Sequence, residues 1–349
     1  MQIHAKLTYP HKMTELYPWQ YELWQRWVGL RTRLPHALLL KGPQGIGKFE
    51  FAMNLAQSLL CSNPVADGMA CGECASCHWF DQQTHPDFRL LQTDALSAQE
   101  DEKEGGKKPA RQISVDQIRS LSNFASLSAH QGGYRVVLIH PAEAMNANAA
   151  NALLKTLEEP TGRMLIILVT HKPQQLLPTI LSRCLTLAAT MPSPAASATW
   201  LQQQGISNPV TVLAQACFAP LQAMRLAEDA TVGEYNTFLQ AVRQPAKFDA
   251  LALAEHLQRI EPVYVIHWLQ QWCYDLGCAK LTGRVRYHPE LADSIKNVSD
   301  KINAIDLLRY QQDLLVAKRE ALHPLNPKLL FESLLLSYRQ MMLAGISTK

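Results

Sequence analysis

The chain has 349 residues, of which 47% are hydrophobic and 18% are charged. These proportions are typical of a folded globular protein, they exclude a disordered or fibrous chain, and the length is enough for two or three domains with their own cores. The formal net charge of +3 is far below the basic excess of a protein whose own surface supplies most of its phosphate contacts, so we expect any DNA contact to be local or shared with partners.

The sequence indicates neither a signal peptide nor a membrane-spanning segment. Residues 1–17 contain no continuous apolar stretch of the signal-peptide type, and the most apolar run, residues 164–169, is much too short to cross a bilayer. We therefore expect a cytoplasmic location. Four of the eight cysteines fall between Cys61 and Cys77, and in a reducing compartment such crowding favours a metal over disulfides.

Between residues 36 and 187, short strand-like runs alternate with amphipathic helical patterns. The strand-like runs are residues 36–41, 87–92, 134–140, 164–170 and 184–187. The helical patterns are residues 49–60, 115–127, 142–157 and 174–181. This alternation predicts one α/β domain, in which helices cover a five-stranded parallel sheet.

A turn-rich stretch at residues 191–194 ends this pattern, and the chain beyond it is almost wholly helical and rich in Ala, Leu and Gln. We predict one domain boundary there and a softer one near residues 231–235. Residues 97–111 carry many charges and no apolar period, which indicates a solvated surface loop, with a functional charged tether as the less favoured alternative.

Residues 42–48 follow a predicted strand and begin a predicted helix, the context that gives their glycine-rich pattern a meaning. Gly42, Gly45 and Gly47 allow backbone N–H groups to curl around a phosphate, and Lys48 can reach the outer phosphates of a nucleotide. The motif continues with Ser or Thr, whose hydroxyl binds magnesium, but here the residue is Phe49. Nucleotide binding is therefore left open against a plain strand-to-helix turn.

The third predicted strand lacks the acidic end that holds the magnesium shell and positions the attacking water. It ends in His140 and Pro141, and neither can replace a carboxylate. Glu143 is a displaced alternative, although a first-turn charge that complements the helix dipole is the favoured interpretation. Because hydroxyl and carboxylates are both missing, we predict that this chain alone does not hydrolyse ATP.

Cys61, Cys71, Cys74 and Cys77 form a spaced group in which three thiols lie on a turn-rich loop and one ends the preceding helix. Four thiolates at this spacing are typical of a tetrahedral zinc site. No coordination position is left open, so the predicted Zn²⁺ is structural and does not catalyse.

The sequence leaves other arrangements of the cysteine group open. An iron–sulfur cluster uses the same ligands and is not excluded by spacing, although nothing else in the sequence indicates redox chemistry. His78 and His85 lie close enough in sequence to serve as ligands, but the fourth thiol makes them unnecessary.

The motifs together resemble the AAA+ subunits of the bacterial replicative clamp loader. The resemblance rests on the phosphate loop, the cysteine module directly after its helix, the run Asn-Ala-Leu-Leu-Lys-Thr-Leu-Glu-Glu-Pro at 151–160, and Leu-Ser-Arg-Cys at 181–184. Residues 325–336 resemble the collar of that family. Hydrolysing motor subunits keep the magnesium hydroxyl and the acidic strand end, and this chain keeps neither.

The resemblance implies a P-loop NTPase-like AAA+ domain at residues 1–188 with the zinc module at 61–77, a small helical lid at 189–232 and a helical collar at 233–349. It also implies a non-hydrolysing, stator-like subunit of a replicative DNA polymerase assembly. The implied partners are motor subunits and a delta subunit in a hetero-pentameric ring, and, through that assembly, the sliding clamp and primed DNA.

Two arginine positions follow from the same resemblance. Arg183 matches the family's arginine finger, which reaches the triphosphate bound by the neighbouring subunit; the alternative is an ordinary salt bridge. Gln222 stands where motor subunits carry a nucleotide-sensing arginine, and Arg225 could replace it only if the alignment shifts by one turn.

Three rival functions remain: a weakly active motor-type ATPase, a zinc-containing DNA-binding module and a stand-alone structural protein. Phe49, His140 and Pro141 argue against the first. The absence of Lys and Arg from residues 61–78 argues against the second, since such a module needs basic or base-reading groups. A pull-down of the purified chain with cell extract would distinguish the third, a stand-alone protein, from a clamp-loader subunit, which should capture partner subunits.

Overall fold

The computed structural model describes residues 15–97, 110–126, 133–159, 162–228, 232–244, 247, 249–321 and 325–347. The chain divides into two units, Met1–Ala196 and Ser197–Lys349. The three-domain division drawn from the sequence stays a prediction, and most of the predicted charged loop at residues 97–111 lies outside the described residues.

The first unit is built on a parallel sheet in the strand order β2-β3-β4-β1-β5. Its strands are β1 Ala37–Lys41, β2 Phe88–Leu91, β3 Arg135–Ile139, β4 Met164–Thr170 and β5 Leu185–Ala188. Every residue of the central strand β4 is buried, because apolar clusters lie on both faces of the sheet. The predicted five-stranded parallel α/β fold is confirmed.

Helices surround this sheet. In chain order they are α1 Tyr21–Leu30, α2 Lys48–Leu60, α3 Ala75–Asp81, α4 Asp94–Ser97, α5 Val115–Ser126, α6 Ala147–Glu158 and α7 Pro178–Leu181. Helix α8 Pro194–Gln203 spans the boundary between the units.

Two of the predicted helices are broken by capping chemistry. The pattern at 142–157 predicted one helix, but the structure has a 3-10 turn, Ala142–Ala144, and then α6. Asn146 separates them, because its side-chain oxygen accepts a hydrogen bond from the Ala149 N–H at 2.8 Å and so starts a new helix. Pro178 similarly begins α7 and divides the pattern at 174–181.

The second unit is helical. Its remaining helices are α9 Pro209–Gln215, α10 Pro220–Glu228, α11 Val232–Val242, α12 Ala250–Leu257, α13 Pro262–Thr282, α14 Ala292–Ser299, α15 Ala304–Glu320 and α16 Pro327–Ser347. Trp272 and Tyr338 are fully buried in its core, where the indole N–H donates to the Tyr338 hydroxyl at 2.9 Å. The hydroxyl in turn donates to the Val242 carbonyl at 2.8 Å, which ties α11, α13 and α16 together.

Within the described residues, no single helix has both the length and the apolarity needed to cross a membrane. Only α9 and α10 taken together pass that test by length and composition, and they are bent by 104°.

Candidate nucleotide and metal sites

The glycine-rich loop joins the end of β1 to α2, at the edge where parallel strands end. Gly45 and Gly47 have φ angles of +78° and +82°, a left-handed conformation that glycine adopts without steric cost. These two glycines therefore allow the tight turn that leads into the N-terminus of α2, and phosphate binding by the loop stays a prediction.

A short segment before α1 lies directly on this loop. Trp19 donates its indole N–H to the Ile46 carbonyl at 2.9 Å, and the Gln20 amide donates to the Gly47 carbonyl at 2.6 Å. A Cβ atom added at Gly47 would lie only 2.5 Å from the ring of Tyr17. The surface of the loop at Gly47 is thus covered by side chains of the chain itself, a feature that the sequence did not predict.

Lys48 is 3% exposed, and its Nζ donates a hydrogen bond to the Pro43 carbonyl of the loop. Burial lowers the pKa of Lys48 to about 8, and the carboxylates of Glu143 and Glu50 offset part of that effect. The Lys48 ammonium group, which was predicted to reach the phosphates of a nucleotide, is therefore hydrogen-bonded to the loop itself.

Phe49, at the motif position of the magnesium hydroxyl, packs against His140, at the motif position of the strand-end carboxylate. The two ring centres are 4.7 Å apart, and both residues are buried. Burial lowers the pKa of His140 to about 3, with the neighbouring His171 and Lys48 acting in the same direction and Glu143 against it. A benzyl group and a neutral imidazole fill this position, and neither is a ligand that magnesium prefers.

Glu143 differs from the expectation drawn from the sequence. It lies in the 3-10 turn Ala142–Ala144 and not in the first turn of an α-helix, and its Oε1 accepts a hydrogen bond from the His171 backbone N–H at 3.0 Å. Its other oxygen, Oε2, is buried and has no hydrogen-bond partner among the described residues. The carboxylate thus joins the turn to the end of β4 and lies near Lys48, where it favours the charged ammonium.

The four clustered cysteines converge at the opposite end of α2. Cys61 caps that helix, Cys74 caps the start of α3, and all four sulfur atoms lie within 4.8 Å of one another. Neither His78 nor His85 belongs to this group. His85 instead bonds the Ser76 hydroxyl at 2.8 Å and accepts from the Asp87 N–H at 3.0 Å.

The sulfur geometry fits a tetrahedral metal ion. The Cys61 sulfur is 3.5 Å from that of Cys71 and 3.8 Å from that of Cys74, and the Cys71 and Cys77 sulfurs are 3.9 Å apart. A tetrahedral site with zinc–sulfur bonds of about 2.3 Å places its sulfurs about 3.8 Å apart. The four cysteines can therefore hold a metal ion.

Backbone N–H groups also donate to three of these sulfurs, and such bonds act against burial by favouring the thiolate form that binds metals. Cys71, Cys74 and Cys77 donate their backbone N–H to the sulfurs of Cys61, Cys71 and Cys74, respectively, at 3.3–3.4 Å. Burial raises the pKa of Cys74, but hydrogen bonds from the backbone N–H groups of Cys77 and Ser62 and from the Cys77 and Cys71 thiols together outweigh it, and the net pKa is about 6. Burial raises the pKa of Cys61 and Cys77.

Arg183 lies in the turn between α7 and β5, with its side chain 35% exposed. Its Nη2 is 2.7 Å from Oε1 of Glu158, and its Nη1 donates to the Thr179 carbonyl at 3.0 Å. The salt bridge thus joins two of the motifs that carried the resemblance, those at 151–160 and 181–184. Gln222 and Arg225 are exposed on α10 in the second unit, and their suggested relation to a nucleotide stays a prediction.

The sheet order, the glycine loop that follows β1 and the helices on both faces define an AAA+ domain. Residues 21–192 match the family model described as DNA polymerase III, delta subunit, and residues 231–340 match the model of the C-terminal part of such subunits.

Several curated relatives share one name. The chain is 38% identical to DNA polymerase III subunit delta' of Pseudomonas aeruginosa, over 93% of this chain and 98% of that protein. It is 30% identical to DNA polymerase III subunit delta' of Haemophilus influenzae, over 85% and 88%. Among solved structures, the Bacillus subtilis DNA clamp loader delta protein is 10% identical over 92% of this chain and 99% of that chain, with a TM-score of 0.35.

The chain belongs to the DNA polymerase III delta' subunit family.

Proposed function

We propose that this chain is a non-hydrolysing, stator-like subunit of a clamp loader, which helps to place a sliding clamp on primed DNA. The observation that carries the proposal is the Phe49–His140 contact, because it fills the position of the magnesium ligands with groups that magnesium does not favour. The cover of Tyr17, Trp19 and Gln20 over the loop supports the further proposal that the chain does not bind ATP productively.

Membership of the delta' family supports the proposed partners. These are motor subunits and a delta subunit in a hetero-pentameric ring, with the clamp and primed DNA engaged through the assembly. We assign Zn²⁺ to the four cysteines, since the sulfur spacing fits its bond length and a closed four-thiolate site suits a structural ion.

The chain's contribution to hydrolysis is proposed to be Arg183, which acts on a triphosphate bound by the neighbouring motor subunit. Its position at a partly exposed turn supports this role. The Glu158 partner is 50% exposed, and pairs of such exposure are weak, about 0.2–1 kcal/mol, so the guanidinium can exchange that carboxylate for a phosphate.

Paired substitutions test the role of Arg183 in reconstituted loaders. Arg183→Ala is expected to leave folding, zinc content and assembly intact and to lower DNA-stimulated ATP turnover, since arginine fingers elsewhere contribute about 10³–10⁵ in rate. Arg183→Lys is expected to restore little, because an ammonium lacks the planar fork.

Glu158→Ala is the matched control, because it breaks the same salt bridge but keeps the guanidinium. Turnover near the unaltered rate is expected for it. The role of Arg183 on the neighbouring subunit is wrong if loaders with Arg183→Ala hydrolyse ATP and load clamps at the unaltered rate. It is also wrong if Arg183→Ala and Glu158→Ala impair turnover equally.

A further inference from the structure

An open groove of about 770 Å³ lies on the second unit, a volume within the range of about 300–1,000 Å³ that is usual for ligand sites. Its lining includes Phe218, Tyr274, Arg284 and Arg286. No carboxylate belongs to that lining among the described residues. The groove therefore combines aromatic rings with positive charge.

One wall of the groove is the turn after α9, which holds an unfavourable backbone conformation. Cys217 and Phe218 have φ angles of +53° and +67°, and a left-handed conformation costs roughly 1–2 kcal/mol for a residue with a side chain. Gln271 of α13 fastens this turn, because its amide donates to the Gln215 carbonyl at 2.6 Å and contacts the Cys217 sulfur at 3.5 Å. Phe218 is thus held in place from helix α13.

A second wall, which adjoins the first, is the loop at residues 283–288, and α13 also holds it by hydrogen bonds. Asp275 is fully buried, and its carboxylate accepts hydrogen bonds from the backbone N–H groups of Arg286, Tyr287 and His288 at 2.8–3.0 Å. His288 donates Nδ1–H to the same carboxylate at 2.8 Å, and its Nε2 lies 2.7 Å from the Tyr235 hydroxyl. A buried carboxylate is tolerated only when bonded in this way, and the result is a fixed loop that presents the two arginines.

The two guanidiniums are not neutralised within the described chain. Arg284 and Arg286 are exposed, and neither forms a salt bridge with a described residue. The Arg286 guanidinium carbon lies over the ring of Phe218, 5.0 Å from its centre, which links the arginine to the turn after α9. Tyr274 is 39% exposed and contacts Tyr287 edge to face at 5.3 Å.

We propose that this groove binds single-stranded nucleic acid, with backbone phosphates on Arg284 and Arg286 and a base stacked on Tyr274. Proteins that bind single strands without sequence preference combine a positive groove with aromatic platforms of this kind. An acidic peptide would use the two charges but would gain no stacking from Tyr274. The proposal does not depend on Phe49, on Arg183 or on the clamp-loader assignment.

Fluorescence anisotropy of the full chain with labelled oligo-dT of about 20 nucleotides tests the groove, across salt from about 50 to about 200 mM. The double variant Arg284→Ala/Arg286→Ala is expected to weaken binding and to reduce the slope of log affinity against log salt by about 1.4, at about 0.7 for each phosphate that is no longer neutralised. Arg284→Ala alone, which leaves the Arg286–Phe218 pair in place, is expected to reduce the slope by about 0.7.

Tyr274 separates stacking from charge. Tyr274→Ala is expected to weaken oligo-dT binding about tenfold with little change in the salt slope, and Tyr274→Phe to bind like the unaltered chain, because the ring is what stacks. The charge control is Arg259→Ala/Arg309→Ala, at exposed positions of the same unit outside the groove, where Arg309 is paired with Asp306 at 3.3 Å. Circular dichroism of each variant confirms that it is folded.

Several results would overturn the proposal. They are an absence of binding at the lowest salt, equal losses in the groove variants and the Arg259/Arg309 control, and unchanged binding by Tyr274→Ala. Displacement of oligo-dT by an oligo-glutamate of equal charge, at the same concentration as unlabelled oligo-dT, would assign the groove to acidic peptides instead.

Discussion

The two ends of helix α2 carry the two candidate sites of the first unit, and they differ in what each retains. At the N-terminus, the loop has the left-handed glycines and the lysine of a phosphate site, but Phe49 and His140 occupy the ligand positions. At the C-terminus, the four cysteine sulfurs still converge with the spacing of a tetrahedral ion. A backbone shape can therefore be present without its ligand chemistry, because the same turn also connects a core strand to a core helix.

The largest effect on stability is expected from disrupting the cysteine cluster at the C-terminal end of α2. Cys74→Ser should abolish stoichiometric zinc and destabilise the first unit, because metal binding energy is folding energy in a module of this kind. A loss of about 3 kcal/mol would lower the melting temperature by roughly 6–12 °C for a unit of this size. Elemental analysis and calorimetry measure the two effects.

Cys278→Ser is the control for that experiment, since it removes a thiol from the second unit and outside the cluster. One zinc per chain and an almost unchanged melting temperature are expected for it. Absence of zinc from the unaltered chain after metal-replete expression would contradict the metal assignment. Equal melting temperatures for the Cys74→Ser and Cys278→Ser variants would show that the metal does not stabilise the first unit.

A smaller effect on stability is expected when the pH is lowered, because His140 lies near the N-terminal end of α2 and is buried. The pKa of His140 falls from its ordinary 6.5 to about 3 on folding, because the ring is buried. Between these values the unfolded chain binds a proton that the folded chain does not, so the free energy of unfolding decreases as the pH falls. The slope from this one residue is up to about 1.4 kcal/mol per pH unit.

His140→Gln isolates that contribution, because glutamine stays neutral and its side-chain oxygen can accept the hydrogen bond that the Gln92 amide donates to His140 Nδ1 at 3.3 Å. Hydrogen exchange of peptides from β3, measured from about pH 7 to about pH 5, should show a shallower loss of protection in the variant. Equal slopes would mean that His140 is protonated in the folded chain or is not buried as described. Zinc measured at each pH separates this effect from loss of the metal.

The sheet could be predicted from sequence because its signal is local. Continuous apolar runs such as residues 164–170, bounded by turn residues, predict buried parallel strands, and β4 has those bounds in the structure. The convergence of the cysteines was predictable for a similar reason, since Cys71, Cys74 and Cys77 are close together in sequence, although the structure places Cys77 in α3 and not on the predicted loop. Zinc ligation, Arg183 as a finger and the division into lid and collar stay predictions.

The features that the sequence did not predict depend either on contacts between residues far apart in the chain or on a single helix-capping residue. The cover of Trp19 and Gln20 over the loop joins groups 26 to 27 residues apart, and no periodicity encodes it. Asn146 was available as a capping residue, and recognising it would have divided the pattern at 142–157 correctly. The groove on the second unit depends on the side chains of α13 bonding two turns that are far apart in sequence.

The smallest expected effect is on catalysis when Phe49 alone is restored to the motif. Phe49→Thr returns a hydroxyl to the magnesium position, but His140 still ends β3 and Gln20 still bonds the loop. A metal held by one anchor, with no carboxylate to position the water, should not support turnover, so phosphate release by the purified variant should stay at background. Phe49→Leu, which keeps an apolar side chain against His140, serves as the control for the change in packing, and a motor subunit assayed in parallel fixes the scale. A clear gain of turnover in folded Phe49→Thr would show that the end of β3 is not the barrier, and Glu143, whose Oε2 has no described partner, would then be the group to test as the base.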